Sequence, residues 1–165
     1  MKRPSWDETW MEIASILAKR SRCLFYHVGA IIARDKQYLS GGYNGPVAGD
    51  VHCTDEYIGC AKMKDGIKLP HGSGLCRGAH AEVNAIVNAA NLGVPVKDAT
   101  LYITFRPCLE YTKHIINAGI KRVIYSYDYD GDESAIALMN RIGVALVKFE
   151  TISSLKFDGK GESHE

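Results

Sequence analysis

ATLYITF (99–105), PCLEYTKHIINAG (107–119), KRVIYS (121–126), DESAIALMNRIG (132–143) and VALVKFE (144–150) follow one another with one, one, five and no residues between them. The first, third and fifth are short runs rich in β-branched and aromatic residues, the composition of buried strands. The second opens on Pro107 and closes on Gly119, the asymmetry of a helix. The fourth has helical apolar spacing and stops at Gly143. Strands alternating with helices imply βαβ crossovers, and so a mostly parallel sheet. Upstream, HVGAIIARD (27–35) and KQYLSGGYNG (36–45) read as two antiparallel strands turning near Asp35. The fold class is α/β, with that hairpin at one edge of the sheet.

Two more helices complete the reading. Ser5 and Glu8 form a capping box ahead of a helix over 6–20, and HAEVNAIVNAANLG (80–93) is helical up to Gly93. Residues 46–78 carry no sustained periodicity but hold three of the five cysteines, Cys53, Cys60 and Cys76. An excursion of that length is usually functional or held by a metal. One domain over 1–150 is expected, followed by a polar tail, 151–165, partly disordered.

The bulk composition excludes several classes. Hydrophobic residues make up 46% and charged residues 24%, ordinary for a globular chain. Lys+Arg 20 against Asp+Glu 19 leaves a net charge of +1, without the basic excess of a polynucleotide binder. No apolar run reaches the ~20 residues of a membrane span. MKRPSWDETW has no apolar core behind its charges, so a cytoplasmic location is expected, where cysteines stay reduced.

His80, Glu82 and Cys108 carry the chemical signal. H-A-E opens one predicted helix and P-C opens the next, with a single strand between. Two helix beginnings so arranged can converge on one point. H-x-E followed by P-C-x-x-C is the signature of zinc-dependent base deaminases. In that chemistry an imidazole and two thiolates hold the ion and leave a position for water, which the metal acidifies. A glutamate that is not a ligand moves the protons. Each residue alone has a commoner reading: a helix-start histidine, a first-turn acid, a small core thiol. Their order and the Pro before Cys108 make the set specific.

With those residues in hand, the chain resembles the deoxycytidylate (dCMP) deaminase family of the cytidine deaminase superfamily. The resemblance runs over most of residues 5–149, through HVGAIIARD, GYNG, CRGAHAEVNAI, LYITFRPC and KHIINAGIKRVIYS. It implies a three-layer fold around a central mixed five-stranded sheet, and zinc-dependent hydrolysis of dCMP to dUMP and ammonia. His80 and Cys108 would be zinc ligands and Glu82 the proton shuttle. Asn44 of GYNG would lie at the nucleotide-binding loop. The resemblance also implies a homo-oligomer, often a hexamer, with dCTP and dTTP as effectors.

Two positions depart from the family. Tyr111 stands where the third zinc ligand would be, and Arg106 stands where other members often carry a smaller or apolar residue. Tyrosine could supply the lost charge only as phenolate, against an ordinary pKa of ~10, and from an unchanged helix its oxygen would overshoot the ion. Two readings follow: an active deaminase with an altered centre, or a catalytically silent relative that binds nucleotide or a partner protein. Arg106 is either a phosphate contact or a solvated surface residue. Cys23, Cys53, Cys60 and Cys76, with His71, could hold a second, structural zinc, or could be scattered reduced thiols. Tyr127, at the end of a strand, could border the base; alternate tyrosines that merely line the strand edge are the plainer reading of Tyr125, Tyr127 and Tyr129.

Overall fold

In the computed structural model, strand β1 (Gly29–Arg34) turns through Asp35 and Lys36 into β2 (Gln37–Tyr43). Both turn residues take positive φ, 51° and 65°, as a two-residue hairpin requires. The structure describes residues 3–55, 59–64, 67–68, 76–128 and 133–150. Its main sheet is completed by β7 (Thr100–Phe105), β8 (Arg122–Tyr127) and β9 (Ala145–Lys148), in the order β2-β1-β7-β8-β9. β1 is antiparallel to both β2 and β7, whereas β7, β8 and β9 are mutually parallel. This is the expected mixed sheet with an antiparallel edge.

The period-2 geometry of strands divides the core in two. On one face Ile31, Ala33, Tyr102 and Ile124 meet Trp10, Met11 and Ala14 of helix α1 (Trp6–Ala18). On the other face Ala30, Ile32, Leu101, Ile103 and Val123 pack against residues of three helices. These are α2 (Ala81–Asn91), α3 (Leu109–Asn117) and α4 (Glu133–Ile142). Both faces are covered, which explains why the central strands read as unbroken apolar runs. The Ser5–Glu8 capping box starts α1 as expected. That helix ends at Ala18, two residues short of the expected Arg20, because Lys19 and Arg20 fold into a tighter turn onto Ile16 and Leu17.

Helices and sheet approach very closely at two glycines. A Cβ at Gly29 would stand 1.9 Å from the Ala14 carbonyl oxygen, and one at Gly42 2.5 Å from the Ala85 amide nitrogen. α1 and α2 can lie this near the sheet only because those side chains are missing.

The excursion begins and ends at one small ladder. β3 (Gly45–Pro46) pairs antiparallel with β6 (Gly78–Ala79), and between them β4 (Met63–Lys64) pairs with β5 (Ile67–Lys68). The β3–β6 ladder therefore lays the GYNG segment beside the residues that lead into His80. Arg77 ties the excursion down: its guanidinium pairs with Asp50 and donates to the Val51 and Gly59 carbonyls. No helix among the described residues is long and apolar enough to cross a membrane. Residues 151–165, expected to form the polar tail, lie outside the described residues.

Candidate active site

Two helices begin at the mouth of one cavity. His80 is the N-cap residue of α2 and Cys108 that of α3, each with extended backbone that breaks into helix at the next residue. Pro107 fixes its own φ and keeps Arg106 before it out of the helical region, so the chain reaches Cys108 from a non-helical segment. β7 ends at Phe105, so Cys108 sits beyond the carboxyl end of a parallel strand, where open α/β sheets build their sites. The cavity occupies about 350 Å³. His80, Glu82 and Cys108 all line it, as the sequence anticipated.

Glu82 lies in the first turn of α2 and is only 2% exposed. Burial pushes its carboxyl up to about 7, while a hydrogen bond with backbone opposes the shift. Its Oε1 stands 3.9 Å from Nδ1 of His80. A carboxyl with such a pKa can both accept and return a proton near neutrality.

Tyr111 does not extend past the centre. Its ring lies over the His80 imidazole, with centroids 4.0 Å apart and planes 34° from parallel. Burial, followed by the negative charges of Glu110, Cys108, Glu82 and Cys76, pushes its hydroxyl up to about 12 and keeps it a neutral phenol. His114 is on another face of α3 from Cys108, but one turn beyond Tyr111, and its ring centroid is 5.7 Å from that of Tyr111. Imidazole and thiolate are donors that zinc takes, so His80 and Cys108 suit the ion, one thiolate short of the set implied by the resemblance. Among the described residues no three of His, Cys, Asp and Glu come close enough to hold one ion together.

All five cysteines of the chain line this cavity, and none is in a disulfide. Cys53 is pushed up to about 11, first by burial and then by the charges of Cys60 and Cys23, with Cys76 adding a smaller part. The expected four-thiol group is thus gathered on the wall of the cavity, without the convergence of a closed tetrahedral cage. His71 lies outside the described residues, as does Tyr129.

Asn44 lines the cavity, but both ends of its amide are engaged. Oδ1 accepts from the Val28 amide at 2.8 Å and Nδ2 donates to the Tyr26 carbonyl at 2.8 Å. It holds the 26–28 segment in shape beside the cavity. Arg106 is not a solvated surface residue: it is 7% exposed, lines the cavity, and has Nε 3.7 Å from Asp128 Oδ1. Tyr127 packs on Phe105, 5.2 Å between centroids, and it is Phe105 that faces the cavity. Tyr26 meets Phe105 edge-on at 5.5 Å and also lines the cavity. Neither aromatic was singled out from sequence; the available signal was the Phe25–Tyr26 pair just ahead of an apolar strand. Tyr125 is buried among core residues.

This geometry coincides with one family. Residues 4–127 match the model of the cytidine and deoxycytidylate deaminase zinc-binding region. The chain belongs to this deaminase family. Among its relatives, ComE operon protein 2 of Bacillus subtilis is 43% identical over 150 residues, covering 91% of this chain and 74% of that protein. Human deoxycytidylate deaminase is 38% identical over 152 residues, covering 87% and 79%. The deoxycytidylate deaminase of Schizosaccharomyces pombe is 35% identical, but the chain spans only 45% of it. In structure the chain is similar to the dCMP deaminase of cyanophage S-TIM5 in complex with dCMP and dUMP, with a TM-score of 0.73 and 28% identity over 90% of this chain and 100% of that one. These likenesses confirm the expected fold and favour a zinc-dependent deaminase over a catalytically silent relative.

Proposed function

We propose that the chain hydrolyses the 4-amino group of deoxycytidine monophosphate, giving deoxyuridine monophosphate and ammonia. The observation that carries this reading is the buried Glu82, held in one cavity with His80 and Cys108 at the starts of two helices. His80 and Cys108 would hold the zinc that the family requires, which supplies an activated water at neutral pH. Glu82 takes a proton from the attacking water and delivers it to the ring nitrogen, then takes the remaining proton of the added hydroxyl and delivers it to the departing amine, so that a carbonyl forms as ammonia leaves. The Phe105 and Tyr26 rings bound an apolar slot suited to a flat base. Tyr127 supports that wall from behind Phe105. Asn44 holds the 26–28 backbone that carries the Tyr26 ring, and Arg106 offers its guanidinium to the phosphate.

Several finer readings rest on the resemblance: a cytoplasmic homo-oligomer, often a hexamer in that family, with dCTP and dTTP as effectors. A second, structural zinc on Cys23, Cys53, Cys60 and Cys76 is supported by their gathering on one cavity wall. Residues 1–150 form the single catalytic domain. The test is Glu82→Gln. Ammonia release from dCMP is expected to fall by at least ~10²-fold, with zinc content unchanged. Full turnover in that variant, measured beside wild type, would refute the reading.

A further inference from the structure

We propose that Tyr111 serves the centre as a positioning residue, clamping the His80 imidazole, and not as a third donor to the ion. This rests on the zinc centre proposed above. The ring of Tyr111 covers one face of the imidazole at 4.0 Å and 34°. Histidine ligates through nitrogen lone pairs in the ring plane, so a neighbour on the face restrains the ring without competing for the metal. The Glu82 carboxylate stands at the imidazole edge, 3.9 Å from Nδ1. His80 makes no side-chain capping bond to its own helix. Tyr111 reaches the imidazole from α3, and Glu82 from the first turn of the helix that His80 itself caps.

Tyr111 is itself backed by His114, one helical turn further on, at 5.7 Å and 35°. The three rings form a column that joins the start of α2 to the first turns of α3. A thiolate at position 111 would hold the ion directly; the tyrosine instead reduces the freedom of a ligand that remains. Outer groups that orient a metal-bound histidine commonly govern affinity by ~10–100-fold. The contact surface doing this is carbon, so the hydroxyl is dispensable.

The experiment compares wild type with Tyr111→Phe and Tyr111→Ala. In chelator-treated protein, proton NMR should show the carbon-bound imidazole protons of His80 shifted by the ring current of residue 111. The shift should persist in Tyr111→Phe and vanish in Tyr111→Ala. Zinc affinity, read by competition with a chromophoric chelator in a Cys53→Ser background, should be kept by Tyr111→Phe and fall by ~10–100-fold in Tyr111→Ala. Equal losses in the two variants would overturn the clamp, because they would assign the effect to the oxygen. An unchanged affinity in Tyr111→Ala would overturn it as well. If wild type takes up no zinc at His80 and Cys108, the proposed function fails separately. The proton shifts then decide the clamp by themselves, supported if Tyr111→Phe keeps them and overturned if it does not.

Discussion

Glu82 is a carboxylic acid shielded from water at the start of a helix, and its burial has a consequence that can be measured without substrate. Its folded pKa, about 7, lies above the ordinary 4.5. The folded state therefore holds the proton more tightly than the unfolded chain. Below pH 4.5 both states are protonated and nothing is lost. Between pH 4.5 and 7 the unfolded chain ionises while the buried group stays protonated, so metal-free protein loses stability over that window, by roughly 3 kcal/mol once pH has passed the folded pKa. Urea denaturation of chelator-treated protein should find Glu82→Gln more stable than wild type at pH 8, with the difference closing near pH 4.5. Parallel stability curves would contradict this. Arg106 supplies a second expectation at this scale. If its guanidinium meets phosphate, Arg106→Ala should raise KM for dCMP by about tenfold or more while leaving deoxycytidine nearly unaffected, since a charged hydrogen bond contributes roughly 1.5–3 kcal/mol. Equal effects on both substrates would remove the phosphate role. The pairing of Arg106 with Asp128, which Lys148 also grips, suggests why that arginine is kept in place before substrate arrives.

At the level of elements, helix caps were plain in the sequence and helix approach was not. The Ser5–Glu8 box announced α1, and Ser5→Ala should cost about 1 kcal/mol, a fall of a few degrees in Tm. An unchanged Tm would mean that the cap is idle. Nothing local marked Gly29 and Gly42 as contact points, because a glycine in a strand reads only as a weak strand residue. The structure puts helix backbone where their side chains would be. Gly29→Ala should therefore destabilise by ~1–3 kcal/mol or more, since backbone, unlike a flexible side chain, cannot step aside. Thermal unfolding checks it, and a variant as stable as wild type would show that α1 shifts freely. Likewise the place of His114 in the ring column depended on where the Tyr111 ring turned.

Over the whole molecule, the cavity is shared between the proposed catalytic centre and the thiol-lined excursion. The β3–β6 ladder closes the excursion at its base and delivers His80 to the cavity. If the four thiols hold zinc, full-length protein should contain two zinc ions per chain by elemental analysis. Cys60→Ser should lower the count to one and reduce Tm, with the His80–Cys108 ion retained. One ion in wild type, placed at His80 by anomalous scattering, would leave the cysteines as reduced wall residues.

The sequence by itself determined the four helices and the five strands of the main sheet, the parallel run of the later strands, and the residue types able to do the chemistry; the four short strands of the excursion it did not mark. These follow from periodicity, caps and spacing, which are local properties of the chain. Only the tertiary structure decided that Arg106 is buried, that the amide of Asn44 is used by backbone, that Phe105 and Tyr26 line the cavity, and that Tyr111 lies on His80. Each of those depends on side chains from segments far apart in sequence meeting in three dimensions. Desolvation and ring contact are set by such neighbours, and no local pattern encodes them.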